Sequence, residues 1–213
     1  MKFMLMMRKW LYPVPNAVVG KKYLANKFGQ TRTDELYASV KTRYWRMLER
    51  ELLPSNPILR WHEVNYLLPG LALYQVLLEE YSGDTAAAMA DVEEVVRLTI
   101  LKQTRLPFAP LKWPRDPFPL FRWGFRLVML AFPAKGWTFD YLENSPQRVD
   151  FNVTHCFYFE VLTRLGFPGI TRVFCRADDA MAENFPPGVC YARSTTIGKG
   201  SEYCDFRYWR NKT

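Results

Sequence analysis

A proline-rich stretch near the middle of the chain most constrains its fold. Residues 106–119 contain five prolines, at positions 107, 110, 114, 117 and 119. Because proline lacks a backbone N–H and fixes φ, this density predicts an extended connector. A chain of 213 residues is long enough for one well-buried core and short for two. We therefore expect a single domain with a mainly helical part at 1–105, the connector and an apolar helix at 106–136, and an α+β part at 137–213.

Amphipathic helices are predicted before the connector. Thr33 is the expected N-cap of the first, whose apolar residues recur at helical spacing until Pro54 ends it. Further helices are predicted at about 61–81 and 85–103. The N-terminal half is therefore expected to be helical.

After Gly136 the apolar residues change from helical spacing to alternation, which is typical of strands. The predicted elements are strands 137–143 and 148–153, helices 154–165 and 169–184, and strands 191–196 and 203–209. The run 198–201 lacks the spacing of a phosphate-binding loop and is expected to be the turn of the second hairpin. The predicted fold class is α+β, with N-terminal helices followed by a β-β-α-α-β-β unit that forms an antiparallel sheet.

The net charge of +8 is concentrated at one end of the chain. Residues 1–60 contain 12 Lys and Arg against 4 Asp and Glu, and the remainder contains 17 of each. Such a region could contact nucleic acid, an anionic membrane or an acidic partner, although a solvated helix face is the simpler interpretation. No zinc-finger spacing or aromatic RNA-binding signature accompanies the charge, so no nucleic-acid partner is predicted.

Two apolar segments bear on localisation. The apolar run near the N-terminus is too short for a signal peptide and lacks a small-residue cleavage site, so we expect a retained, cytoplasmic chain with reduced thiols. Residues 120–132 are apolar but shorter than the ~20 residues that a membrane span needs. This segment could lie on a membrane surface with Arg122 and Arg126 at the headgroups, although packing against other helices is the simpler interpretation.

The cysteines mark the C-terminal third as the chemically richest part of the chain. Cys156 is predicted near a helix start, where unpaired N–H groups favour a thiolate, so it is a candidate nucleophile or metal ligand. A small buried apolar residue is the alternative. His155 need not be its base, because neighbours on a strand point to opposite faces. The remaining cysteines are Cys175, Cys190 and Cys204.

The second C-terminal helix carries a candidate carboxylate. Its apolar stripe places Asp178 at the edge and Asp179 toward solvent, so Asp178 is the better placed to be half-buried. Cys175 lies one turn earlier on the same flank. On the third predicted strand, Arg193 and Thr195 can supply a guanidinium for a carboxylate and a hydroxyl.

The last predicted strand alternates between two kinds of side chain. Cys204 is expected to face the core, and Asp205 and Arg207 to face solvent or a pocket. A surface salt bridge between Asp205 and Arg207 is the alternative to a role in a pocket.

Five short motifs follow one another in the C-terminal part. They are Phe-Asn-Val-Thr-His-Cys at 151–156, Leu-Gly-Phe-Pro at 165–168, Phe-Cys-Arg-Ala-Asp at 174–178, Arg-Ser-Thr-Thr at 193–196 and Cys-Asp-Phe-Arg at 204–207. This ordered set resembles the bacterial L-2-amino-thiazoline-4-carboxylic acid hydrolase family. The resemblance implies a cytoplasmic hydrolase that adds water to the carbon between the nitrogen and sulfur of a small cyclic amidine, giving an N-carbamoyl amino acid.

The resemblance also implies roles for particular residues. Cys156 would attack the amidine carbon as a thiolate or hold a metal-bound water, and Asp178 would bind the protonated amidine or act as general base. Arg193 would bind the substrate carboxylate. The other candidates are His155 as a catalytic residue, Thr195, Asp205 and Asn152 as substrate-binding residues, and Cys175 and Cys204 as supporting residues.

Two further interpretations stay open at this point. One is a non-catalytic small-ligand-binding domain, able to rest on a membrane, which the aromatic content and the segment 120–132 favour. The other is a metal site of Cys and Asp ligands with a structural or sensing role. The sequence requires no cofactor, the predicted partner is a small-molecule substrate, and the oligomeric state is not predicted.

Overall fold

The computed structural model describes residues 14–211. They form two compact units, which we call the helical unit (the described residues through Ser55, with Arg60–Thr99) and the sheet unit (Asn56–Leu59, with the described residues from Ile100 onward). The fold is α+β, as predicted, with helices followed by a four-stranded antiparallel sheet. The division into domains stays a prediction.

Most of the described residues before the proline-rich stretch are helical. The helical elements are α1 (Val14–Phe28), α2 (Gln30–Arg50), α3 (Pro57–His62), a π-helical turn (Glu63–Leu67), α4 (Leu68–Glu80) and α5 (Thr85–Phe108). Within the helical unit, α2 packs against α4, and Leu36, Val40 and Tyr44 are among its buried residues. The predicted cap at Thr33 is wrong, because α2 begins at Gln30. Gly29, whose φ of 79° favours glycine, separates α2 from α1.

The proline-rich stretch is more regular than its composition predicts. Helix α5 continues through Pro107 to Phe108, and a 3₁₀ turn follows at Ala109–Lys112. Pro107 has no N–H to donate to the carbonyl four residues earlier, so the helix loses one hydrogen bond there and ends one residue later. Only residues 113–117 of this stretch lack helical structure. Helix α6 (Phe118–Val128) then has Pro119 in its first turn, where an N–H has no helical partner, and ends in a 3₁₀ turn at Met129–Ala131.

The predicted β-β-α-α-β-β order is confirmed. The elements are β1 (Trp137–Asn144), β2 (Arg148–Cys156), α7 (Phe157–Arg164), a 3₁₀ turn (Pro168–Ile170), α8 (Thr171–Ala182), β3 (Val189–Ala192), a 3₁₀ turn (Ile197–Lys199) and β4 (Cys204–Arg210). The strands are antiparallel in the order β1-β2-β4-β3. Strand β3 is shorter than predicted, because the backbone N–H groups of Ser194 and Thr195 bind the Asp205 side chain.

The pairing of β1 with β2 is interrupted twice. The register shifts between Thr138 and Phe139 and again between Tyr141 and Glu143. Since β1 lies at an edge of the sheet, these shifts occur where one side of the strand has no partner strand in the described structure.

Aromatic side chains hold α6 against the sheet. Phe151 of β2 stacks on Phe206 of β4 with ring centroids 5.1 Å apart. Phe121 and Phe125 of α6 contact Tyr208 at 5.6 and 5.2 Å. The inner face of α6 therefore belongs to the core of the sheet unit. In residues 14–211, none of the helices has the length and apolar character that a membrane span requires.

Candidate functional site

Three cysteines and Asp178 are neighbours in the sheet unit. Cys156 ends β2, Cys175 lies on α8 and Cys204 begins β4. Each of the three thiols interacts electrostatically with Asp178. All four cysteines of the chain are free thiols. The fold thus brings together the cysteines and the carboxylate that the sequence motifs single out.

The Asp178 carboxylate is bound on one side and reachable on the other. Its Oδ2 accepts a hydrogen bond of 2.8 Å from Nη1 of Arg193. Within residues 14–211, no donor reaches Oδ1, and the side chain is 37% exposed. Burial nevertheless raises the pKa of Asp178, and Arg193 offsets only part of that effect. The Asp178 carboxylate is therefore partly desolvated and still within reach of solvent.

The Arg193 side chain is buried, and its guanidinium binds other groups of the protein. Its side chain is 3% exposed, and its guanidinium lies 5.0 Å above the ring of Phe206. Beyond its bond to Asp178, Nη2 donates to Asp179 Oδ1 at 2.8 Å and to the carbonyl oxygen of Cys175 at 2.6 Å. Burial acts to lower the pKa of Arg193, but the two aspartates outweigh it and hold the pKa above the ordinary value. Arg193 fixes Asp178, and its contact with a substrate carboxylate stays a prediction.

The helical pattern predicts that Asp179 faces solvent. In the structure, Asp179 also accepts hydrogen bonds from other residues of the site. Its Oδ1 accepts hydrogen bonds from Arg193 and from the hydroxyl of Tyr191 at 3.2 Å. Asp179 and Tyr191 are therefore parts of the site that the sequence analysis missed. The available signal was the adjacency of Asp178 and Asp179, since one guanidinium can bind two neighbouring carboxylates.

Cys156 occupies the N-cap position of α7. In the described structure the Cys156 side chain makes no capping hydrogen bond, but the backbone N–H groups of Phe159 and Tyr158 act to lower the pKa of Cys156, which is the direction that the sequence predicts. Burial is the stronger effect and raises the pKa of Cys156 to about 11. The thiol is therefore protonated at neutral pH in the ligand-free site.

The other two thiols of the site are protonated for the same reason. Burial raises the pKa of Cys175 and of Cys204 to about 11 each. Cys204 faces the core, as predicted, and its sulfur accepts a hydrogen bond of 3.2 Å from the N–H of Ile197. Cys204 therefore links the start of β4 to the turn that precedes it.

Glycine at position 198 lets that turn approach α8 closely. A Cβ at Gly198 would lie 3.0 Å from the sulfur of Cys175 and 3.1 Å from the backbone nitrogen of Arg172. Gly200 completes the turn with a φ of 91°. The turn predicted at 198–201 thus forms part of the wall beside Cys175.

His155 lies on the exposed side of β2. Its Nε2 is 3.3 Å from Oε2 of Glu160, another exposed side chain. A role for His155 as the base of Cys156 stays a prediction.

Asp205 of β4 and Thr195, which follows β3, are predicted to bind substrate, and both make structural hydrogen bonds. Asp205 accepts bonds from Ser194 N at 2.9 Å, Ser194 Oγ at 2.8 Å and Thr195 N at 2.6 Å. Burial acts to raise the pKa of Asp205, but these bonds outweigh it and hold the pKa below the ordinary value. The Thr195 hydroxyl donates to Ser201 Oγ. Contact of Asp205 and Thr195 with a substrate stays a prediction.

Asn152 and Arg207 bind one another across the sheet. Asn152 lies opposite Asp205 in the β2–β4 register, and its Oδ1 accepts a bond of 2.8 Å from Nη2 of Arg207. Arg207 also donates to the carbonyl of Phe151 and lies 3.9 Å from Asp150. The alternative salt bridge between Asp205 and Arg207 is thus replaced by other partners. Asn152 as a substrate-binding residue stays a prediction.

Among residues 14–211, no three His, Cys, Asp or Glu side chains are arranged to hold a metal ion.

A family model described as L-2-amino-thiazoline-4-carboxylic acid hydrolase matches residues 65–208. The chain belongs to this family. The matched residues of this hydrolase family member include all the candidate site residues, from Asn152 to Asp205. No curated protein matches the chain.

Among solved structures, the chain is similar to the crystal structure of the Fe(II) unliganded H-NOX protein from K. algicida. The two share 11% sequence identity over 93% of this chain and 96% of that chain, with a TM-score of 0.37. A likeness this weak supports no conclusion about fold or ligand.

Proposed function

We propose that this chain opens the ring of a small cyclic amidine of the thiazoline-carboxylate type by hydrolysis. Family membership supports hydrolase chemistry. The observation that carries the proposal is the state of Asp178, since Arg193 fixes one carboxylate oxygen and solvent reaches the side chain. A carboxylate held in this way can receive a proton at its second oxygen.

In the proposed reaction, water attacks the carbon between the ring nitrogen and sulfur. Asp178 takes a proton from the water as the C–O bond forms. The C–S bond then breaks as the new hydroxyl becomes the carbonyl and releases its proton to solvent, and the sulfur leaves as a thiol with the proton that Asp178 holds. The product is an N-carbamoyl amino acid. A general base works best when its pKa lies near the working pH, so the raised pKa of Asp178 suits this role.

The charges around Arg193 favour a cationic substrate group. Two carboxylates, Asp178 and Asp179, flank one guanidinium. With both carboxylates ionised, the cluster carries an excess negative charge, which attracts the delocalised cation of a protonated amidine. This attraction orients the amidine carbon toward Asp178.

Cys156 offers a covalent variant of the same reaction. Its thiolate would attack the amidine carbon, the ring C–S bond would break, and the ring sulfur would leave as a thiol with the proton that Asp178 took from Cys156. Water would then add to the same carbon and displace the sulfur of Cys156 as a thiol. Because the pKa of the thiol is about 11, it must first give up its proton, and Asp178 is the acceptor in this proposal. The covalent variant predicts an enzyme–substrate adduct that direct attack by water does not form.

The test is turnover of a panel of cyclic amidines that includes 2-aminothiazoline-4-carboxylate, followed by mass spectrometry. We expect a mass gain of one water with the wild type, a loss of at least about a hundredfold with Asp178→Asn, and full activity with the exposed control Asp140→Asn. Unchanged turnover in Asp178→Asn would remove Asp178 from the mechanism. Absence of turnover across the panel would overturn the proposed function.

A separate experiment tests the role of Cys156. Intact-protein mass spectrometry of rapidly quenched reactions should show an adduct in the wild type and none in Cys156→Ala if the covalent variant operates. Parallel reactions with a chelator test the metal-bound water that the sequence analysis left open.

Binding without turnover is the second candidate function. It is favoured by the protonation of all three thiols of the site, since a protonated thiol is a poor nucleophile. Calorimetric binding of an amidine that stays chemically intact, and that Asp178→Asn abolishes, would select this candidate.

A further inference from the structure

We propose that the outer face of α6 docks on the surface of an anionic phospholipid bilayer. This outer face consists of Leu120, Trp123 and Leu127 of α6 and Leu130 of the 3₁₀ turn that follows. The proposal concerns a surface that the hydrolase chemistry does not use.

The outer face is apolar where a surface helix is normally polar. Trp123 is 60% exposed, Leu127 51% and Leu130 70%. The spacing of these residues and Leu120, at three or four positions, places them on one stripe. The opposite stripe is formed by Phe118, Phe121 and Phe125, the first two of which are buried. Helix α6 is therefore apolar on both faces, and the outer face is about half exposed while the inner face is largely buried among the described residues. Contiguous apolar patches of this kind mark interaction sites.

The charges around this face fit an anionic surface. The segment 109–136 contains five Lys and Arg residues and one acidic residue, Asp116. Asp116 is already paired, since its Oδ2 lies 3.0 Å from Nη2 of Arg210. Arg122 donates to the uncharged side chain of Asn144. The exposed side chains of Lys112, Arg115, Arg126 and Lys135 lie beyond ion-pair distance of any acidic group within residues 14–211.

The length of α6 fits a helix that lies on a membrane and does not cross it. The helix has 11 residues, about half of a membrane span. Helices with an apolar face, exposed tryptophan and flanking basic residues lie in the interface, with the apolar face among the upper acyl chains. Trp123 would sit at headgroup level, and Arg126 would contact lipid phosphate.

A second copy of the chain is a less suitable occupant. Pairing two such faces would bring two sets of uncompensated cations together, and like charges across an interface repel one another. An anionic lipid surface compensates the same charges. The charge pattern therefore selects lipid over self-association.

The test is sedimentation of the full chain with two kinds of vesicle. One kind contains phosphatidylcholine alone, and the other contains equal parts of phosphatidylcholine and phosphatidylglycerol. We expect binding to the anionic vesicles that weakens as salt is raised, and at least about tenfold weaker binding to the neutral ones. The double variant Trp123→Ser and Leu127→Ser should lose at least about tenfold in affinity for anionic vesicles.

Three controls keep the result specific to the outer face. Leu52→Ser removes an exposed leucine from the helical unit and should bind as the wild type does. Arg126→Gln with Lys135→Gln should weaken binding and reduce its dependence on salt. Circular dichroism must show that each variant is folded.

Several outcomes would overturn the proposal. One is equal binding to both kinds of vesicle, and another is anionic binding that survives in the Trp123→Ser and Leu127→Ser variant. Binding that is lost only when residues 2–13 are deleted would assign it to that segment. Absence of lipid binding together with a dimer that the same double variant dissociates would assign the outer face to a second copy.

Discussion

Two aspartates, one in each unit, are surrounded by similar groups and differ in what solvent can reach. In the helical unit, Asp91 is 2% exposed. Its Oδ1 accepts bonds from Tyr23 at 2.9 Å and Lys27 at 2.8 Å, and its Oδ2 accepts a bond from Tyr81. Both oxygens are therefore occupied. In the sheet unit, Asp178 has a cation on one oxygen only and is 37% exposed.

The difference separates a structural carboxylate from a chemically competent one. Asp91 of α5 binds Tyr23 and Lys27 of α1 and Tyr81, the residue that follows α4, so its hydrogen bonds hold helices together. Burial and the bond to Asp91 raise the pKa of Tyr23 to about 12, so this hydroxyl stays a donor at any physiological pH. Asp178 leaves an oxygen that a water or a substrate can approach. The number of occupied oxygens distinguishes the two better than the presence of a cation does.

The largest expected effect is on catalysis. Asp178→Asn should lower kcat/KM by about 10² to 10⁴, because the proposed general base is lost. Its free energy of unfolding should change by less than about 1 kcal/mol, because Arg193 keeps its bond to Asp179 and the side chain is partly solvated. Steady-state kinetics and urea denaturation measure the two effects. A large loss of stability in Asp178→Asn, together with normal turnover per folded molecule, would make Asp178 a structural residue and not the general base.

Substitution of Asp91 in the helical unit should have the opposite effect, a loss of stability without a loss of turnover. Asp91→Ala should lower the free energy of unfolding by about 3 kcal/mol, because three donors lose a buried acceptor. Turnover per folded molecule should be unchanged. Denaturation midpoints and kcat at a temperature where both proteins are folded provide the comparison. A wild-type midpoint for Asp91→Ala would show that its network adds little to stability.

The pH dependence of activity sharpens the assignment of Asp178. As a base, Asp178 must be ionised, so kcat/KM should rise as pH rises through a pKa above the ordinary value of an aspartate. Removing the guanidinium in Arg193→Gln should move this acid limb upward by about one pH unit or more, since a nearby cation lowers the pKa of a carboxylate. Pre-steady-state or steady-state pH profiles of the two proteins give the shift. An unmoved limb would mean that another group controls it.

The pH dependence of stability has the opposite sign for Asp178 and Asp205. Between the ordinary aspartate pKa and the raised pKa of Asp178, the folded state binds more protons than the unfolded chain, so this contribution to stability falls as pH rises. The lowered pKa of Asp205 gives a contribution that is present above the ordinary pKa and is lost as pH falls through the lowered value. Denaturation across acidic pH should show, in Asp178→Asn, a smaller fall of stability as pH rises from the ordinary aspartate pKa to the raised pKa of Asp178. It should show less acid-induced loss of stability in Asp205→Asn.

The smallest effect is expected at the edge of the Arg193 cluster. Tyr191→Phe removes one hydrogen bond of 3.2 Å to Asp179. It should cost about 0.5–1 kcal/mol of stability and leave kcat/KM within about threefold of the wild type. Thermal denaturation and kinetics test this prediction. A loss as large as that of Asp178→Asn would place Tyr191 in direct contact with the reaction.

The sequence predicts the parts of the molecule that local patterns control. Alternation and turn residues predict all four strands and the two helices between them, and the helical stripe places Asp178 at the edge of the core. The end of α5 was missed because tertiary packing tolerates Pro107 inside a helix. The Asp91 cluster was missed because Tyr23 and Lys27 are 68 and 64 residues away in the chain. The partners of Arg193 could not be predicted from the sequence either, since they depend on how β3 packs against α8.

The interrupted pairing of β1 affects how the chain avoids unwanted association. Strand β1 has eight residues and carries exposed Tyr141 and Leu142, features that favour growth of a sheet by addition of another chain. One of the two register shifts leaves Leu142 as an extra residue in β1, and such a residue increases the local twist and disturbs the row of N–H and C=O groups along this edge. A neighbouring strand that approaches it finds no long, flat set of donors and acceptors. The same irregularity that looks like a defect in the ladder thereby protects the sheet against fibrillar stacking.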